Sequence, residues 1–226
     1  MTTSIALDPS SAPVTAPRPR LRGVSHAWAV AFAIPAVLVL AQHARTSRAL
    51  LAASIYGMGL VLLFAISAVY HRIDWNPAAR ARMRKLDHSN IFVFIASSYT
   101  PIHLLGVGGS YGTLLCSVCW TGAVLGVLQT LFWPGAPRAL HVAAYLVVGW
   151  TGALPIADLT RHTGSLSGWL LLMGGVLYSA GAIVYARKRP EPWPGVFGHH
   201  EVFHAFVIAA CMCLYVVEWR CVLFAV

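Results

Sequence analysis

ALLAASIYGMGLVLLFAISAVYH, residues 49–71, carries no Asp, Glu, Lys or Arg. At a rise of 1.5 Å per residue, a helix of that length crosses the roughly 30 Å hydrocarbon core of a bilayer. The stretches 26–44, 88–107, 112–133, 139–158, 165–187 and 200–223 are also predominantly apolar and of spanning length. The sequence therefore predicts seven spans. Open strands cannot cross lipid, because their edge N–H and C=O groups would be left unpaired. No alternating ten-residue pattern suggests a barrel, so the spans are expected to be helices. Pro35, Pro101, Pro155 and the glycines Gly174, Gly175 and Gly181 are tolerated in membrane helices, and the glycines allow close packing.

Composition agrees. Of 226 residues 58% are hydrophobic and only 10% charged, with a mean hydropathy of +0.69. A soluble domain carries about 25% charge, so this chain cannot cover a water-facing surface. A cytosolic enzyme, a disordered regulator and a disulfide scaffold are excluded. The net charge of +9 does not point to nucleic acid, because the basic residues form no stripe along one helix and no basic-aromatic interleave. The expected partners are membrane lipids. Residues 1–24, rich in Pro, Ser, Thr and Ala, are expected to be a disordered cytoplasmic tail, and residues 25–226 one membrane domain. Arg18, Arg20 and Arg22 before AWAVAFAIPAVLVLA have the form of a signal peptide, but the tail before them is long and cleavage would leave six spans. The tail, the 72–86 loop, Arg138 and the last loop (Arg187, Lys188, Arg189) hold twelve Lys and Arg, while Arg45, Arg48, Arg161 and Arg220 on the alternate side make four. That asymmetry predicts a cell-membrane protein with a cytoplasmic amino terminus and an external carboxyl terminus.

Ionisable groups beside spans are costly and mark candidate sites. The last span opens on Gly198-His199-His200-Glu201-Val202-Phe203-His204. Helical residues four apart share a face about 6 Å along the axis, so His200 and His204 can turn toward one metal. Ser67 and His71 repeat that spacing at the end of the second span, and Asp87 and His88 open the third. The topology brings these ends to one depth. Three imidazoles (His71, His200, His204) with an open fourth position form the ligand set of a catalytic zinc, and Asp87 can accept a proton from the metal-bound water. The bland alternative is a set of hydrated histidines at headgroup level.

The strings Ser67-Ala-Val-Tyr-His71-Arg72, Leu86-Asp87-His88-Ser89, Ser98-Tyr99-Thr100-Pro101, His200-Glu-Val-Phe-His204 and Gly174-Gly175-Val-Leu-Tyr178-Ser-Ala-Gly181-Ala-Ile-Val-Tyr185 resemble the hemolysin III proteins. These are the bacterial branch of the progestin and adipoQ receptor family. The resemblance runs from about residue 24 to the end. It implies an all-α membrane protein, a seven-transmembrane helix bundle with the amino terminus cytoplasmic and a Zn2+ near the cytoplasmic face. On that likeness His71, His200 and His204 hold the metal, Asp87 orients or deprotonates its water, and Ser67 helps position it. The family is grouped with membrane hydrolases and its eukaryotic receptors are associated with ceramidase activity. Its bacterial members are described either as hemolysins, implying cytolysis, or as factors in membrane-lipid homeostasis. The expected activity is hydrolysis of an amide or ester in a lipid that enters from the bilayer.

Three other readings compete. His200-Glu201-Val202-Phe203-His204 satisfies HExxH, which would make Glu201 the base of an intramembrane peptidase, but no downstream third histidine or later aspartate motif completes it. A pore needs a polar helix face, and Gln129, His103 and some Ser and Thr are thin material for one. A non-catalytic sensor would share the zinc shell of an enzyme. The remaining features have ordinary readings. Cys116, Cys119, Cys211, Cys213 and Cys221 are small apolar packers. Trp133, Trp150, Trp169 and Trp219 fit an aromatic belt. His26, His43, His141 and His162 are expected at hydrated interfaces, and His88 and His199 beside the ligands.

Overall fold

Runs of uncharged apolar residues can satisfy their backbone groups in lipid only by winding into helices, and they do. The computed structural model describes residues 19–225, so most of the expected tail lies outside the described residues. Eight α-helices follow in order: α1 Val24–Gln42, α2 Ser47–Arg72, α3 Pro77–Pro101, α4 Gly109–Phe132, α5 Arg138–Trp150, α6 Ile156–Thr163, α7 Ser165–Arg187 and α8 His199–Leu223. Among the described residues the sole extended pairing is an isolated bridge between Trp193 and Phe197. Large apolar side chains such as Phe32, Trp28, Phe132, Trp169 and Met212 point outward, as lipid-facing surface does.

Six helices are long and apolar enough to cross a membrane. The expected span 139–158 is not one helix: α5 ends in a short 3₁₀ turn, Thr151–Ala153, and α6 leaves at 47°. Pro155 stands at the break, where its ring removes a backbone donor and clashes with the preceding turn. If that bent pair is one span, the spans number seven.

The third helix also starts earlier than its hydropathy suggests. Pro77 occupies the first turn, and the Asn76 side chain accepts a hydrogen bond from the Ala79 N–H at 2.9 Å. Proline at the first position and asparagine at the cap are strong start signals, and they outweigh the polar run that follows. Arg80, Arg82, Arg84 and Lys85, expected in a loop, therefore lie on α3, and Asp87 sits well inside it. Past Pro101 the helix runs on as a π-helical segment, Ile102–Val107.

Small residues let the helices close. A Cβ on Gly59 would sit 1.8 Å from Ser97 Oγ, so α2 and α3 approach as they do only because glycine is there. Tyr99 donates its hydroxyl hydrogen to the Gly149 carbonyl at 2.6 Å, joining α3 to α5, and Tyr215 donates to Ala36 at 2.7 Å, joining α8 to α1. Ahead of α1, the Arg20 and Leu21 N–H groups donate to the Gly195 and Val196 carbonyls at 3.0 and 3.1 Å. This stretch, expected to be the end of the tail, thus holds the segment that leads into α8.

Candidate metal centre

The last turn of α2 and the first of α8 face one another at one end of the bundle. On α8 the four-residue spacing puts His200 and His204 on one side; His71 meets them from α2. One ring nitrogen of each lies within 4.8 Å of the others, a group that can hold a metal ion. The closest pair, Nε2 of His71 and Nε2 of His200, is 3.0 Å apart. Ring centroids lie 4.6 Å apart for His71 and His200, 4.5 Å for His200 and His204, and 5.2 Å for His71 and His204.

α3 supplies the carboxylate. Asp87 Oδ2 is 4.0 Å from His71 Nε2, and both side chains are largely enclosed. The Ser67 hydroxyl, one turn before His71 on α2, interacts with the Asp87 carboxyl group. All five residues singled out from the sequence come together: His71, His200, His204, Asp87 and Ser67. All five open onto a cavity of about 840 Å³ whose deeper wall is apolar, with Leu63, Ile95, Leu171 and Leu214.

Three features of the site are not visible in the sequence. His26, expected at a hydrated interface, is buried at 3% exposure and stacks on His204 with ring centroids 3.7 Å apart and planes 12° from parallel. Glu201 is buried in an ion pair with Arg22, Oε1 to Nε at 2.7 Å, while its Oε2 accepts the Gly198 N–H at 2.8 Å. Glutamate in the first turn satisfies a backbone donor that has no partner within the helix. Both oxygens are thereby engaged in fastening the start of α8, which counts against Glu201 as a free base. Glu191, in the segment before α8, accepts hydrogen bonds from His199, and these hold its carboxyl group below the usual carboxylate range. Arg22 and Glu201 are far apart in the chain, so no local spacing announces their contact. His26 carries a signal only in being a histidine on an apolar helix.

A family model described as "Haemolysin-III related" matches residues 14–215. The chain is 31% identical over 206 residues to "Hemolysin-3" of Bacillus cereus, covering 90% of this chain and 89% of that one. It is 28% identical over 204 residues to "Hemolysin-3 homolog" of Bacillus subtilis (strain 168), covering 89% and 91%. It is 30% identical over 176 residues to "Adiponectin receptor protein" of Drosophila melanogaster, covering 70% of this chain and 39% of that longer one.

Proposed function

The chain belongs to the haemolysin-III related family of multi-pass membrane proteins, and on that premise we propose that it is a zinc-dependent hydrolase of amide or ester bonds in membrane lipids. One observation carries the reading: three imidazole nitrogens converge beside a carboxylate on the wall of a cavity with an apolar depth. Tetrahedral zinc with Zn–N bonds of about 2.0–2.1 Å keeps two nitrogens about 3.3 Å apart. The 3.0 Å between the nitrogens of His71 and His200 needs only a small adjustment to match it. Neutral imidazoles suit zinc better than calcium or magnesium, which prefer oxygen.

His71, His200 and His204 would hold the ion. Bound there, it would supply Lewis-acid chemistry to the scissile carbonyl and make the attacking water more acidic. Asp87, within reach of the His71 nitrogen, accepts the proton of the attacking water and returns it to the leaving amine or alcohol as the carbonyl carbon's bond to nitrogen or oxygen breaks. Ser67 holds Asp87 in place from α2. His26, flat against His204, fixes the orientation of that ring. The apolar depth takes the acyl chain and shields the reacting carbonyl from bulk water.

The same reading counts α5 and α6 as one bent span, giving seven, in a membrane domain that starts near residue 25. By the excess of Lys and Arg on one side, the metal centre lies at the cytoplasmic face of the cell membrane and the carboxyl terminus outside. The outcome is a change in membrane lipid composition.

The test is metal content of the purified protein beside a screen of acyl amides and esters, for wild type and Asp87→Asn. About one zinc per chain in both, with turnover lowered by roughly 10²–10⁴ in the variant, is the expected result. Absence of metal after chelator-free purification, or full activity of Asp87→Asn on a verified substrate, overturns the reading.

A further inference from the structure

The cavity has a feature that lipid hydrolysis alone does not explain. Its mouth is lined by Arg80 and Arg84 of α3 and Arg138 of α5. None of these three has a carboxylate partner among the described residues. Arg138 lies over the Tyr185 ring at 5.1 Å and Arg80 over the Tyr70 ring at 5.7 Å. Arg84 and Arg138 both act electrostatically on His88 and Tyr185, so their charges meet over the same patch. The lining carboxylates do not balance them: Asp87 is directed at His71 and Ser67, and Glu191 at His199. Guanidinium groups gathered without an acid repel one another, and a recess with low-dielectric walls concentrates their field. An anion relieves that cost.

From this we infer that the mouth is a phosphate-binding subsite, and that the lipid taken by the cavity carries a phosphate headgroup. The inference rests on the hydrolase reading for what happens to the lipid, but not for its binding. The guanidinium fork matches phosphate oxygens two at a time, which a single ammonium cannot do. The position fits the chemistry as well. Tyr185 stands between Arg138 and the metal centre, its ring 5.9 Å from that of His200. In a glycerophospholipid an acyl ester lies only a few bonds from the phosphate. A headgroup held by Arg84 and Arg138 therefore presents that ester beside His71 and His200, with its chain directed toward Leu63, Ile95, Leu171 and Leu214.

Basic residues at a cytoplasmic face also attract anionic leaflets without any specific site, and Arg82 separates the two cases. It sits on α3 between Arg80 and Arg84 and, like Arg84 and Arg138, is exposed, but it is absent from this cavity's lining. The experiment is native mass spectrometry of the purified full chain in neutral detergent, titrated with phosphatidic acid, phosphatidylcholine or inorganic phosphate, before and after chelation. Arg84→Gln with Arg138→Gln is expected to weaken phosphatidic acid binding about tenfold or more. Arg82→Gln should bind phosphatidic acid as wild type does, and phosphatidylcholine, whose phosphodiester carries a single charge, should lose less than phosphatidic acid in the double variant. Equal losses in Arg82→Gln and the double variant, or no loss in the double variant, overturn the subsite. Displacement of phosphatidic acid by equimolar inorganic phosphate would show a free-phosphate site and overturn the lipid assignment. Binding that survives chelation while turnover fails leaves the subsite standing and removes only the hydrolase.

Discussion

The two ends of α8 are built from similar residues and differ in what those residues meet. At its start, His200 and His204 converge with His71, and Glu201 is tied by Arg22 and the Gly198 N–H. At its far end Glu218 is completely buried, yet both its oxygens lack a hydrogen-bond partner among the described residues. The Tyr56 hydroxyl, near enough to Glu218 to feel its charge, and both ring nitrogens of His103 are in the same condition. Arg220 beside Glu218 donates to Ser167 Oγ at 2.9 Å and to the Thr163 carbonyl, fastening α8 to α7 and the end of α6. Burial of ionisable groups is thus common to both ends. Convergence of several donors on one point belongs only to the first, and convergence is what metal binding requires.

The largest effect should come from breaking that convergence. His200→Ala is expected to take zinc from about one per chain to near zero, exceeding the roughly 10–100-fold cost of losing an outer partner. Glu218→Gln should leave zinc at the wild-type level. Elemental mass spectrometry of both variants reads the contrast directly. Equal loss of metal in Glu218→Gln would mean that the two ends are coupled, and the comparison would fail.

Much of this contrast was legible in the sequence. The four-residue spacings Ser67 to His71 and His200 to His204, with span ends alternating between faces, were enough to bring five named side chains to one place. Helical period and span order are both recorded in local sequence. What could not be read was set by long-range contact or by competition among local signals. Asn76-Pro77 starts α3 within a polar stretch, because a cap and a pre-set proline φ are worth more there than hydropathy. Pro155 is of a kind that membrane helices tolerate, yet it stands where one helix ends and the next is redirected. His26 stands near a span end, where hydration is expected, but its ring is covered by His204 from a helix at the other end of the chain.

A middle-sized effect tests the start of α8 more finely. Glu201→Gln removes the charge that meets Arg22 while keeping an oxygen for the Gly198 N–H. Loss of a charge-assisted contact at a buried site costs about 1–3 kcal/mol, so thermal stability should fall. Zinc content and lipid turnover should persist, since the carboxylate fastens the helix and does not face the reaction. Complete loss of turnover with zinc retained would restore Glu201 as the catalytic base and revive the peptidase reading.

The smallest effect has the opposite sign and belongs to the far end. A buried carboxyl group without partners costs about 1–3 kcal/mol relative to an apolar group that fills its space. Leucine is of similar volume, and the neighbouring Val217, Cys221 and Val222 are themselves buried. Glu218→Leu is therefore expected to raise the melting temperature modestly, with zinc content unchanged. A drop in stability would show that Glu218 is satisfied in the membrane by a group its neighbours do not supply. The far end would then be a second polar site, and the distinction between the two ends of α8 would rest on metal alone.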